Sequence, residues 1–518
     1  MSKALDRIIE GTILTFSDET PVVEAVGVKD GIIVALGAAE DIKKLAGEDT
    51  KHLDLTGKTI LPGFIDTHVH PGFTGTSALS VNLDDAISVG DVLERLKARI
   101  AKTPAGVLVY ATRFSYTTVA EHRMPTLAEL DRLSAAHSIA IHCIDGHSVM
   151  LNSRFLRDLD LATDEEGVVK DEDGNPTGLI EDPAISKVFI LLAPREESEL
   201  MPLLHTASIA ALQAGVTTIH MKEPPASMEV LLANEDNLPI HVKPFYLFSS
   251  EDLEALDKFL NLGRYRDRAI VGFIADGSPD SKTAAYFEPY PDDENNFGVL
   301  FYSDEELSAR IGKAHRIGYQ VSVHACGARC IEQVLNTYEQ VLKNNPREDH
   351  RHRIEHFETP SRSQLRRAAS AGISASMHPQ HTNMSDGYAA YIQKVVGDNM
   401  FDRMIPLRSA LDAGVLVAGG SDSPVAPMAP MTAIHDCVNH PNPKHRISLY
   451  EALRMFTIDA ARIGFEEDLK GTIDKGKLAD FVVLSDNPYA VLRENIREIR
   501  VEMTLVDGEI VYSAKQEK

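Results

Sequence analysis

The 518-residue sequence has no tryptophan and only four cysteines, Cys143, Cys326, Cys330 and Cys437. The missing tryptophan excludes nothing. Four cysteines in so long a chain are too few for a disulfide framework, so the expected compartment is a reducing one, the cytoplasm. Positive charge is also short: 52 Lys and Arg face 77 Asp and Glu, a net charge of −25. That balance argues against nucleic acid and against an anionic membrane as partners. No apolar run approaches the ~18 residues of a membrane span. The opening MSKALDRIIEG shows no apolar segment after its basic residue, so no secretory signal is expected. What is there, 43% apolar and 25% charged residues, is the make-up of a globular protein with a sizeable core. The expected partner is a small-molecule substrate, with a homodimer as the candidate assembly.

The two ends of the chain are alike. AVGVKDGIIVALG (25–37) reads as two short strands turning at Lys29-Asp30-Gly31, and EMTLVDGEIVYS (502–513) repeats the pattern at Asp507-Gly508. With ADFVVLSDNP (479–488), these segments predict a small composite β-sandwich domain over 1–60 and 466–518. Between them, apolar runs alternate with helical stretches, the signature of parallel α/β architecture. The runs are GFIDTH (63–68), GVTTIHM (215–221), HVKPFYLF (241–248), AIVGFIADG (269–277), YQVSVHA (319–325), RHRIEHF (351–357), GISASMHP (372–379) and GVLVAGGSD (414–422). Eight is the number that closes a (β/α)8 TIM-like barrel, here predicted over 61–465, with 75–214 inserted as a lid. Catalytic groups in such a barrel lie at the C-terminal ends of its strands.

Those ends carry the polar residues. His68 and His70 share a face of the first strand, since side chains at i and i+2 point the same way. Lys222 follows the second strand, His324 closes the fifth, His356 the sixth, and Asp422 the eighth. Singly, each histidine reads as a core residue, Lys222 as a loop residue and Asp422 as a helix cap. Jointly they share one rim, which independent structural residues have no reason to do. Imidazole nitrogens and a carboxylate suit Zn²⁺ and its neighbours, so one or two divalent ions, of the zinc class, are expected. Around them, His147, Arg113, Tyr116, His378 and His381 are candidates for substrate binding.

The chain resembles the amidohydrolase superfamily, in particular its branch of N-substituted formamide deformylase-like hydrolases, amidohydrolase family 3. The resemblance is carried by LPGFIDTHVH (61–70), DGHSVMLNS (145–153), FIADGSPDSKTAA (273–285), SVHACGARCIEQVL (322–335), HRIEH (352–356), GGSDSPV (419–425) and GTIDKGKLADFVVL (471–484). It implies a metal-dependent hydrolase of an amide-type C–N bond in an N-formyl or N-acyl amine. Esters, lactones or cyclic amides are the alternative substrates, and a non-catalytic scaffold the alternative class. It further implies that His68, His70 and Asp422 hold one ion, that His324 and His356 hold a second, and that Asp422 moves the proton. The family commonly has a carboxylated lysine where this chain has Gly272. A CO₂-derived carbamate on Lys222 is the expected replacement, with an unmodified Lys222 beside a single ion as the rival.

Overall fold

The eight apolar runs form eight strands of a single sheet, in chain order: β1 (Phe64–Val69), β2 (Val216–Glu223), β3 (His241–Phe248), β4 (Ile270–Ile274), β5 (Gln320–Ala325), β6 (Arg353–His356), β7 (Ser374–Met377) and β8 (Val417–Gly419). The computed structural model describes residues 4–514 except 145, 160–164, 193–195, 249–252, 264, 266 and 384–387. Every neighbouring pair in the sheet is parallel. The ring closes between β8 and β1, where Val69 bridges Ser423 in parallel and the Asp422 N–H donates to the His68 carbonyl at 2.8 Å. Every residue of β1, β2, β5 and β6 is buried. Such strands read as apolar runs rather than alternating ones because helices cover the outer face while side chains fill the inside.

Helices Asp304–Ile317, Ala328–Asn344, Arg362–Ser370 and Leu407–Ala413 link the second half of the barrel. Their starts are legible locally. Ser303 and Ser361 cap the first and third of these helices, each in a reciprocal pair with Glu306 or Gln364 three residues on, satisfying free N–H groups of the first turn.

Both ends of the chain meet in a separate seven-stranded sheet. Its order is Glu509–Ser513, Val501–Val506, Phe481–Leu484, Lys51–Pro62, Arg7–Leu14, Val22–Lys29 and Ile32–Gly37. All neighbours run antiparallel except Arg7–Leu14 beside Lys51–Pro62. Both expected hairpin turns form, with positive φ at Asp30-Gly31 and Asp507-Gly508, as two-residue turns of this type require.

The excursion between β1 and β2 builds a six-stranded sheet of its own, including Val109–Phe114, Ile139–Cys143 and Ser148–Leu151. Leu83, Val92, Phe114, Leu130 and Ile141 form part of its core. No helix among the described residues is long and apolar enough to cross a membrane.

Candidate metal centre

The polar interior of the barrel is organised around Glu355, a residue the sequence reading passed over. Glu355 Oε1 accepts from Ser322 Oγ at 2.5 Å and lies 2.6 Å from Arg353 Nε. Its Oε2 is 2.7 Å from His68 Nδ1 and 2.9 Å from Lys222 Nζ. Burial works to raise this carboxyl, but Arg353, Lys222 and His68 overcome it and hold it well below the usual range. The same burial lowers Lys222 to about 8, opposed by Glu355. Lys222 also stands over the Phe245 ring, 4.2 Å from its centroid. That ring explains Gly272: a Cβ there would lie 1.8 Å from Phe245 Cε2. No longer side chain fits at position 272 unless Phe245 moves.

Above Glu355 the strand ends bring the imidazoles together. With Nδ1 donating to Glu355, His68 presents Nε2 to Asp422 Oδ1 at 3.0 Å, and His70 Nε2 lies 3.3 Å from the same oxygen. His356 Nε2 approaches the other oxygen at 3.8 Å and His381 Nε2 at 4.0 Å. The His324 ring stands 4.2 Å from that of His356. His68, His356, His378 and Asp422, all buried, each offer one atom within 4.8 Å of the others. His70 is the outward member, with 27% of its side chain exposed. Burial tends to raise Asp422, yet His68, His70 and His356 hold it well below the usual range. Burial keeps His356 and His378 neutral, their pKa values well below normal. Two of these residues, His356 (φ 67°) and Asp422 (φ 60°), adopt the left-handed backbone. Such strain, about 1–3 kcal/mol per residue, gathers at functional sites.

These residues fit a divalent cation of the zinc class. Neutral imidazoles and one ionised carboxylate are its ordinary donors. A carboxylate behind His68 fixes the ring so that its outer nitrogen keeps a lone pair, as metal-bound histidines require. His324 and Cys326 form an adjacent group with His356, and Glu358 and His381 form another.

Lys222 meets Glu355, the carboxylate that also holds His68, and its charge is felt by His70 and Asp422 above. Asp276 was also passed over. Its carboxylate takes the N–H groups of Ala285, Cys326 and Gly327 at 2.9–3.0 Å and stands 3.4 Å from His324 Nδ1, so it braces the loop carrying His324. The A-D-G ending of the fourth run was the available signal. For Glu355 it was Arg353 two residues earlier: opposite charges at i and i+2 of a buried strand share a face.

Of the residues assigned to substrate, His147 reaches the mouth, 5.5 Å from the His324 ring, and is oriented by Asp182 at 2.6 Å. Its neighbour Asp145 lies outside the described residues. His381 lines the same small cavity, facing Glu358 at 3.4 Å, whereas His378 lies among the inner histidines. Arg113 and Tyr116 are elsewhere. Arg113 donates to the carbonyls of Pro424 and Val425 and pairs with Asp84 at 2.6 Å, clamping the loop after Asp422. Tyr116 packs edge-on against Phe114 in the inserted unit. The four cysteines are buried, and none of them forms a disulfide.

Comparison with known proteins identifies the family. The amidohydrolase family model matches residues 51–512. The putative amidohydrolase YtcJ of Bacillus subtilis is 29% identical, over 97% of this chain and 98% of its own length. The N-substituted formamide deformylase of Arthrobacter pascens is 26% identical, over 98% of each chain. An uncharacterized metal-dependent hydrolase from Pyrococcus horikoshii OT3 superposes with a TM-score of 0.76 at 23% identity, covering 94% of this chain and 99% of that one. The chain belongs to the amidohydrolase family.

Proposed function

We propose that this protein is a cytoplasmic, metal-dependent hydrolase that cleaves the amide-type C–N bond of a small N-formyl or N-acyl amine. The observation that carries the reading is the convergence of His68, His70 and His356 on the carboxylate of Asp422, within 3.0–3.8 Å. His324 completes the ring of imidazoles beside His356. A divalent cation held there supplies Lewis acidity and lowers the pKa of water toward neutrality. Asp422 takes the proton of the attacking water and returns it to the leaving nitrogen, as general base and then acid. His147, oriented by Asp182, and His381, oriented by Glu358, bind polar atoms of the substrate from the cavity they line. That cavity carries Asp280, Glu358 and Asp422 and, among the described residues, no lysine or arginine. It therefore suits a neutral or cationic molecule, as a formamide or acyl amine is, better than an anion.

Lys222 is assigned as an unmodified ammonium. Its Nζ already balances Glu355 at 2.9 Å, and a carbamate would set a second anion against that carboxylate. Without a bridging carbamate, the reading commits to a single ion of the zinc class. The deformylase relative supports the choice of bond. The test is a screen of formamides, acyl amines, esters and lactones with Zn-, Mn- and Co-loaded protein, following release of free amine. Amine release that stops on chelation is expected. Hydrolysis of esters or lactones alone overturns the bond assignment, and a protein that takes up no metal and turns over nothing overturns the enzyme.

A further inference from the structure

We propose that His378 is itself a metal ligand, adding the loop after β7 to the set; this rests on the metal-dependent reading above. His378 follows β7 directly and is buried. Its Nδ1 donates to the carbonyl of Gly420 at 3.0 Å. That bond settles the tautomer, because a ring that donates from Nδ1 keeps its lone pair on Nε2. Nε2 is buried and has no hydrogen-bond partner, a state that carries a free-energy penalty unless something fills it. What it faces is the inner cluster. His378 offers one atom within 4.8 Å of atoms from His68, His356 and Asp422. Its ring meets His68 at 4.5 Å and 87°, and His356 at 4.4 Å and 73°. Both are edge-to-face contacts, so the three rings pack directly against one another around the cluster.

The backbone is shaped around this arrangement. A Cβ at position 420 would lie 3.2 Å from His378 Cε1 and 2.8 Å from His68 Cβ. Glycine there lets both rings, and the carbonyl that aims one of them, come close together. An imidazole anchored by a backbone carbonyl through one nitrogen, with the other open, is how metal-bound histidines are held. His381, three residues on, also has a buried Nε2 without a hydrogen bond, but it groups with Glu358 at the outer cavity and not with His68 and Asp422.

The test titrates Zn²⁺ and Co²⁺ into metal-free wild type, His378→Gln and His68→Gln, with unfolding of each apo protein as the folding control. Glutamine keeps the bulk of the side chain and a donor for the Gly420 carbonyl, and removes the imidazole. In His378→Gln the expected results are an apo melting point close to wild type, Zn²⁺ binding weakened at least about 100-fold, and a changed visible spectrum of the Co²⁺ protein. His378→Ala gives a second reading: free imidazole restores the wild-type Co²⁺ spectrum. Wild-type affinity and spectrum in either folded variant overturn the assignment. If His68→Gln loses metal in the same experiment, the metal-dependent reading stands and only the role of His378 falls. If wild type binds neither ion, both fall.

Discussion

Two layers of polar side chains lie inside the barrel, both buried apart from His70 and oppositely treated. In the lower layer, around Glu355, each carboxylate oxygen has two partners, and Arg353 also donates to His220 Nδ1 at 3.0 Å. In the upper layer imidazoles face one another and a carboxylate, and Nε2 of His378 is left without a hydrogen bond. The lesson is a division of labour. The lower layer spends its charge on orientation, fixing His68 from behind. The upper layer keeps lone pairs pointed at a shared space, which only a cation or water can satisfy. A buried ion-pair network is weak evidence for stability in itself, but removing one member leaves the others uncompensated.

That contrast predicts opposite phenotypes. Asp422→Asn, in the upper layer, should lower kcat by about 10²–10⁴-fold while leaving most metal bound and the urea midpoint near wild type; retained turnover would remove Asp422 from proton transfer. Glu355→Gln, in the lower layer, should destabilise the fold by about 3–5 kcal/mol, because Arg353 and Lys222 lose their counter-charge. Urea unfolding measures this, and an unchanged midpoint would break the comparison. Arg113→Met sharpens the boundary of the site. It should cost about 1–3 kcal/mol from unmet carbonyls of the loop after Asp422; a raised KM with unchanged stability would instead return Arg113 to substrate binding.

The smallest effect belongs to the seam between barrel and terminal sheet. His241, at the start of β3, lies 3.2 Å from Asp480 and 3.5 Å from Asp507. Burial lowers its pKa, but the two carboxylates outweigh it and push it up to about 9. A histidine raised above its unfolded value of about 6.5 stabilises the fold fully below that pH. The contribution is lost as pH rises through about 9. With a quarter of the side chain exposed, the effect is of order 1 kcal/mol. His241→Asn should flatten the stability profile between these pH values; an unaltered slope contradicts the pairing.

The barrel was legible because its strands are buried and bounded by helices, so most appear as largely apolar runs, β6 with Arg353, Glu355 and His356 being the exception. In the inserted sheet, Val109–Phe114 and Ile139–Cys143 are fully or almost fully buried and stand out as apolar runs. Val168–Lys170 and Pro176–Glu181 are short and partly exposed, and neither stands out. In the centre, residues that end strands come together around Asp422. Glu355 was missed because three of its four partners, His68, Lys222 and Ser322, come from β1, β2 and β5, and only Arg353 is local. Arg113 and Tyr116 contact the loop after Asp422 and Phe114, respectively, for a reason the sequence could not carry. Alternation assigns a face within one strand but not how an inserted sheet sits against the barrel.

The most direct test of the central claim is metal content, measured by mass spectrometry, in purified wild type and in His68→Ala/His356→Ala. Stoichiometric divalent metal in the wild type and background levels in the folded double variant are the predicted result. A metal-free wild type, or a variant with a full complement, would contradict it.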